Sequence, residues 1–183
     1  MTAASARGAA FAGPSEVITR ARFAAASTLA PVSYVAGEAR QELLDTLGDA
    51  IDEIAAALAA LGAAYELLST APADRLEEEL FRPVQAAYGR AKKTHAGFAQ
   101  RQGIPPRTFT PATPGPPSTG IRGFVDSAVD SAADADAVLV ELQDSMAPVE
   151  VGDPELRAGL SEVRELLGDV RARAHEFVRT LGR

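Results

Sequence analysis

Apolar residues alternate at spacings of three and four through the middle of the chain, which is the spacing of residues on one face of an α-helix. The clearest run consists of Leu44, Leu47, Ile51, Ile54, Leu58, Leu61, Tyr65 and Leu68. It predicts a helix over residues 32–69, and small residues beside the run allow neighbouring helices to approach closely. We therefore expect this helix to be the buried centre of the fold.

The same periodicity predicts a partner for this helix further along the chain. A second long helix is expected over residues 74–102, where Asp74 and Glu77 have the spacing of a capping box. Pro83 is expected to kink this helix, because proline lacks the N–H group that the helical ladder uses. Residues 32–102 are thus predicted to form a helical hairpin.

A second hairpin is predicted over residues 121–183. Met146 is the last member of the apolar stripe of its first helix, and a short loop follows. Its last helix is expected to begin with Asp153 as the N-cap and Pro154 at the first helical position. Both helices carry apolar stripes at helical spacing, so both are expected to face a common core.

The two hairpins are joined by residues 103–120, which contain half of the twelve prolines. Such a segment favours polyproline II, which rises ~3.1 Å per residue and is long enough here to run the length of a bundle. The predicted fold is therefore all-α: a four-helix bundle made of two long helical hairpins joined by a Pro-rich crossover linker.

The N-terminal region is expected to add little to this bundle. Residues 15–30 predict a short extra helix that Pro31 ends or kinks. Residues 1–14 are expected to be a disordered tail. The predicted organisation is a single helical domain over residues 15–183.

Composition mainly excludes classes of function. Alanine is abundant and aromatic residues are few, which favours helices over sheets. Cysteine is absent, which removes disulfides and thiolate metal sites. The chain also lacks an apolar signal segment and an apolar run long enough to cross a bilayer. These features together predict a cytoplasmic protein that does not associate with membranes.

Charge is strongly segregated along the chain. The formal net charge of −7 disfavours nucleic-acid binding, because phosphate recognition requires clustered Lys and Arg. Residues 80–125 contain no acidic residue, whereas residues 123–156 contain no basic one. Asp126, Asp130 and Asp134 fall on one helical stripe, where like charges repel.

Four interpretations of this segregation remain open. The acidic stripe pairs with basic residues of the preceding helix, is simply solvated, meets a basic partner protein or a second subunit, or has a cation or nucleic-acid mimic role. The candidate partner-binding residues are Asp126, Asp130, Asp134, Arg90, Lys92 and Lys93.

Side chains that could support chemistry are few. Two histidines without cysteine, and without a Glu-x-x-His pair, predict no metal site and no cofactor. Nucleophile and phosphate-binding motifs are absent. His95 lies on the predicted inner face near Tyr88, and Tyr65 from the preceding helix is a possible neighbour. These three are candidate ligand-binding residues, although a histidine at the core edge with a backbone or tyrosine partner would look the same.

The pattern as a whole favours a non-enzymatic interaction or assembly protein that acts through helix-face packing and segregated charge. A protein partner or self-association into an oligomer would follow from that function. The alternative is a small-molecule-binding bundle or cofactor-free enzyme with an interior pocket near Tyr65, Tyr88 and His95. No catalytic residue is predicted.

Overall fold

The computed structural model describes the backbone of residues 15–181 and the side chains of residues 36–181. Its internal contacts divide the chain into two units, Met1–Glu38 and Ala39–Arg183. The described part of the first unit is the beginning of helix α1, and the fold described below is that of the second unit. The disordered tail predicted for residues 1–14 lies outside the described residues.

All regular structure in the described part of the chain is helical, and no strand occurs there, which confirms the all-α prediction. The elements are α1 (Ser15–Glu66), α2 (Thr70–Leu76), a π-helical turn (Glu77–Phe81), α3 (Arg82–Gln102), a 3₁₀ turn (Pro117–Thr119), α4 (Gly120–Asp144), α5 (Ala147–Val151), α6 (Pro154–Gly168) and α7 (Val170–Leu181). None of these helices combines the length and the apolar character needed to cross a membrane.

The prediction that Pro31 ends the first helix is wrong, because α1 extends from Ser15 to Glu66. A proline inside a helix removes one backbone hydrogen bond and crowds the carbonyl four residues earlier. The flanking sequence is rich in alanine, the strongest helix former, and the helix continues through the defect. A separate short helix over residues 15–30 is therefore absent.

The apolar stripe of α1 is buried as predicted over most of its length. Leu44, Leu47, Ile51 and Ile54 are at most 2% exposed. Near the end of the helix Tyr65 is 37% exposed, whereas the last predicted member, Leu68, is partly buried against the core. Residues at a helix terminus have fewer neighbours to cover them than residues at mid-helix.

The next helix begins earlier than predicted. Thr70 is its first residue, so Asp74 lies inside the helix and the predicted capping box does not form. The carboxylate of Glu77 instead lies 3.2 Å from the guanidinium of Arg82. The π-helical turn directly precedes Pro83, whose ring would otherwise press on a carbonyl within that turn. The irregularity expected at this proline is thus a widened turn just before it.

In the C-terminal half the buried apolar stripes largely match the prediction, whereas the boundaries of the helices differ from it. The predicted loop after α4 contains the short helix α5, and the predicted last helix is divided at Asp169 into α6 and α7. Asp153 caps α6 as expected, since its Oδ1 accepts a hydrogen bond of 2.9 Å from the backbone N–H of Leu156. The apolar stripe stays buried across the division, from Leu156 to Phe177.

The core is built where these helices meet. Helix α3 packs along α6, and α4 packs against both α6 and α7. Gly159 of α6 permits the first of these contacts: a Cβ atom there would lie only 2.2 Å from Oγ1 of Thr94 on α3. Buried side chains from α1, α3, α4, α6 and α7 form one apolar cluster. The polar faces of these helices point outward.

The Pro-rich linker is folded against the helices. Gly103, at φ 68°, ends α3 in the left-handed conformation that favours glycine. The chain that follows, residues 104–116, is called the strap. Ile104 and Phe109 of the strap pack against the apolar cluster, and Arg107 forms ion pairs with Asp49 and Asp52 of α1. The strap therefore links α3 to α1 through side-chain contacts.

Candidate interaction surface

The basic residues of α3 predicted to bind a partner are partly occupied within the chain. Nε of Arg90 lies 2.5 Å from a carboxylate oxygen of Glu162 on α6. The ammonium group of Lys92 lies 4.9 Å from the centre of the Tyr88 ring, a cation–π contact. Lys93 has no ion pair among the described residues and lines a groove between α3 and α6.

A second basic residue of α3 is also held by α6. Arg101 lies 2.7 Å from Asp153 and 2.6 Å from Glu155 at the start of that helix. Burial alone would raise the pKa of Asp153, but the hydrogen bonds from Arg101 and from the backbone N–H of Leu156 outweigh it and lower that pKa. Arg90 and Arg101 of α3 are thus matched with acids of α6, and no ion pair joins α3 to α4 in the described part of the chain.

The acidic stripe of α4 is consequently left without a match on α3. Asp126, Asp130 and Asp134 are all exposed. Asp126 lies 3.9 Å from Arg122, one turn earlier on the same helix. Asp130 and Asp134 have no ion pair among the described residues. Asp136, on the flank of the stripe, pairs with Arg164 of α6 at 2.9 Å.

The stripe extends further than the sequence pattern indicated. Glu141 and Asp144 are exposed on the same side of α4, since all five positions fall within one narrow arc at 100° per residue. We call Asp126, Asp130, Asp134, Glu141 and Asp144 the acidic face of α4. At 1.5 Å per residue it is about 27 Å long.

The two halves of the acidic face have different surroundings. At its N-terminal end a shallow pocket of about 290 Å³ between α4 and α7 brings Asp126 and Asp130 near Arg122, Arg171 and His175. The C-terminal half has no basic residue on α4 or α5, because residues 123–156 contain none. Arg164 of α6 reaches this half, where it pairs with Asp136 and donates a hydrogen bond to Gln143, but Glu141 and Asp144 have no ion pair among the described residues.

A groove between α1 and α4 opens beside the C-terminal half of the acidic face. Its volume is about 250 Å³. It is lined by Ala39, Glu42, Leu43, Thr46, Glu141, Leu142, Ser145 and Ala147, which we call the α1–α4 groove. Met146, predicted to be buried, is 61% exposed because α4 ends at Asp144. Val149 on α5 is 50% exposed.

The three candidate ligand-binding residues occupy different environments. Tyr65 is exposed at the end of α1, Tyr88 is half-buried under Lys92, and His95 is buried. None of them lines the grooves described above.

His95 itself has an unusual environment. Its ring meets the ring of Phe109 edge to face, and its buried Nδ1 atom has no hydrogen-bond partner among the described residues. Burial and the nearby Arg107 cation lower the pKa of His95, while Asp45 opposes them. The sequence placed His95 on an inner face correctly, but it pointed to a tyrosine neighbour, whereas the ring that covers it comes from the strap.

The groups on this surface favour binding through charge and through apolar contact. Carboxylates in a row attract cations and basic side chains, and an adjoining apolar groove removes apolar side chains from water. Among the described residues no three His, Asp or Glu side chains come together in a way that would hold a metal ion.

The sequence analysis predicted neither the groove nor the second half of the acidic face. The regular spacing of Glu141 and Asp144 could have revealed the second half of the acidic face.

Comparison of the chain with models of known protein families, with curated proteins and with solved structures finds no match.

Proposed function

We propose that this protein is a helical interaction protein whose acidic face on α4 binds a partner that presents a complementary basic surface. The observation that carries the proposal is the pairing of Arg90 and Arg101 with acids of α6. This pairing leaves Asp130, Asp134, Glu141 and Asp144 of the acidic face with no ion pair among the described residues.

Repulsion along the acidic face favours such a partner. Like charges one turn apart on a helix destabilise it by roughly 0.2–0.5 kcal/mol per pair. A basic surface laid along α4 would remove that repulsion and form new ion pairs at the same time. Complementary charge of this kind speeds association and selects the partner more than it adds affinity.

A heterologous partner fits these charges better than a second copy of the chain. Of the three candidate basic residues of α3 that a second copy would have to supply, Arg90 is paired with Glu162 and Lys92 lies against the Tyr88 ring, so only Lys93 lacks either kind of contact among the described residues. We further propose that α1, α3, α4 and α6 form the four-helix bundle expected from the sequence. The cytoplasmic location and the absence of nucleic-acid binding stay predictions from composition.

The proposal is tested with a defined basic probe. We expect fluorescein-labelled hexalysine to bind the intact protein at low salt, measured by fluorescence anisotropy. The triple variant Asp134→Asn, Glu141→Gln, Asp144→Asn should bind about tenfold more weakly, because three exposed ion pairs of roughly 0.5 kcal/mol each amount to one tenfold step.

A control with the same change of net charge separates a binding face from general attraction. Glu66, Asp74 and Glu165 are exposed and have no ion pair among the described residues. The triple variant Glu66→Gln, Asp74→Asn, Glu165→Gln should bind the probe within about twofold of the unmodified protein. Equal losses in both triple variants would reject α4 as the binding face.

A further inference from the structure

The lining of the α1–α4 groove favours an apolar occupant. Its floor includes Leu43 and Leu142, which are 1% and 6% exposed. Both hydroxyl groups in its lining already donate hydrogen bonds to backbone carbonyls, Thr46 to Glu42 at 2.9 Å and Ser145 to Leu142 at 2.7 Å. An apolar occupant would therefore leave neither donor unsatisfied.

The size of the groove matches one large side chain. A cavity of about 150 Å³ holds a benzene molecule, and the groove offers about 250 Å³. Met146 lies in the chain between the lining residues Ser145 and Ala147, and its side chain is exposed. Val149 adds a second exposed apolar group on α5.

The rim of the groove is acidic. Glu42 and Glu141 line it, and Asp144 and Glu150 are exposed nearby along the chain. The one basic residue of α1 after residue 38 is Arg40, and it does not line the groove. An apolar pocket with this rim is complementary to an apolar side chain flanked by basic residues.

We propose that the partner is a basic amphipathic helix that inserts a Leu, Ile or Phe side chain into the α1–α4 groove while its Lys and Arg residues contact Glu42 and the acidic face of α4. This inference rests on the proposed function and specifies the partner. A helix is the form that fits, since helix-in-groove recognition uses apolar anchors at helical spacing beside charged positions. The acidic groups of α4 are themselves spaced at helical turns along about 27 Å.

Two probes and two groove variants test this inference. The probes are hexalysine and a synthetic amphipathic helix made only of Leu and Lys, both labelled with fluorescein. The groove-lip variant is Met146→Ser with Val149→Ser, and its matched control is Tyr65→Ser with Leu67→Ser, which removes a second pair of exposed apolar residues. Circular dichroism establishes that each variant keeps its helical content.

We expect the groove-lip variant to lose affinity for only one of the two probes. The groove-lip variant should bind the Leu/Lys helix about tenfold more weakly and hexalysine with unchanged affinity. The control pair should bind both probes as the unmodified protein does.

The variant Ala147→Leu, which fills the groove without changing charge, should act like the groove-lip variant. Weaker binding of the Leu/Lys helix to the control pair, or unchanged binding to both groove variants, would overturn the inference. If the charge variants of α4 still weaken hexalysine in that case, the proposed function stands without the amphipathic partner. If they do not, the function itself fails.

Discussion

The rings of His95 and Phe109 lie at 85° to each other with their centres 5.1 Å apart. This contact joins the buried face of α3 to the strap. The guanidinium of Arg107 lies 5.4 Å from the centre of the same Phe109 ring and is held by Asp49 and Asp52 of α1. A titratable group in the core is thus coupled to the position of the strap.

The stability of the protein should fall as pH falls below about 6.5, the ordinary pKa of histidine. Burial lowers the pKa of His95 in the folded state, so the unfolded chain binds more protons in this range and is favoured by acid. The loss begins at the unfolded-state pKa and ends once pH passes the lowered folded-state pKa. One such group contributes at most about 1.4 kcal/mol per pH unit.

Denaturant unfolding at several pH values between neutrality and the onset of carboxylate titration measures this effect. The variant His95→Gln should show a flatter pH dependence than the unmodified protein. Identical pH profiles for His95→Gln and the unmodified protein would refute the assignment.

Replacing Phe109 with Ala should release the strap. The change removes the ring that covers His95 and the apolar contact with the core, at a cost of about 1–3 kcal/mol. Trypsin should then cleave after Arg107 faster than in the unmodified protein, which mass spectrometry of the fragments detects. Thr108→Ala, at an exposed neighbour, should not change the cleavage rate. Equal rates in all three proteins would mean that Phe109 does not hold the strap.

The crossing of α3 and α6 should not tolerate a methyl group at Gly159. A Cβ atom there would lie 2.2 Å from Oγ1 of Thr94, so Gly159→Ala should lower the free energy of unfolding by about 1–3 kcal/mol. Adding Thr94→Ala should recover much of that loss, because it removes the clashing atoms. Gly62→Ala has open space around it and should instead stabilise α1 by up to about 1 kcal/mol. Thermal unfolding of the four proteins tests all three statements, and a neutral Gly159→Ala would contradict the close crossing.

Asp153 should contribute both as a helix cap and as an ion-pair partner. Asp153→Ala removes both roles and should cost about 1–3 kcal/mol, whereas Asp153→Asn keeps a capping oxygen and should cost less. Because the pKa of Asp153 is lowered from 3.8, its charge stabilises the fold above that value and is lost only as pH falls through the lowered pKa. Equal losses of unfolding free energy in the two variants would assign the whole effect to the ion pair with Arg101.

The features that sequence predicted correctly are those that depend on near neighbours along the chain. Helical periodicity placed Leu156, Leu160 and Val163 on a buried face, and all three are fully buried. Asp153 caps the following helix because its own side chain reaches a backbone N–H three residues later. Gly103 ends α3 because glycine adopts a positive φ at little cost. Contacts within a few residues are encoded locally, so pattern and residue type suffice to predict them.

Tertiary structure decided which helices lie side by side and therefore which charges and rings meet. Arg90 pairs with Glu162 because α3 packs against α6, and nothing local to either residue distinguishes α6 from α4 as its neighbour. His95 is covered by Phe109 because the strap folds back over it, and Met146 stays exposed because α4 ends two residues earlier. Each of these outcomes depends on contacts between residues far apart in the chain, which a helical stripe makes possible but does not select.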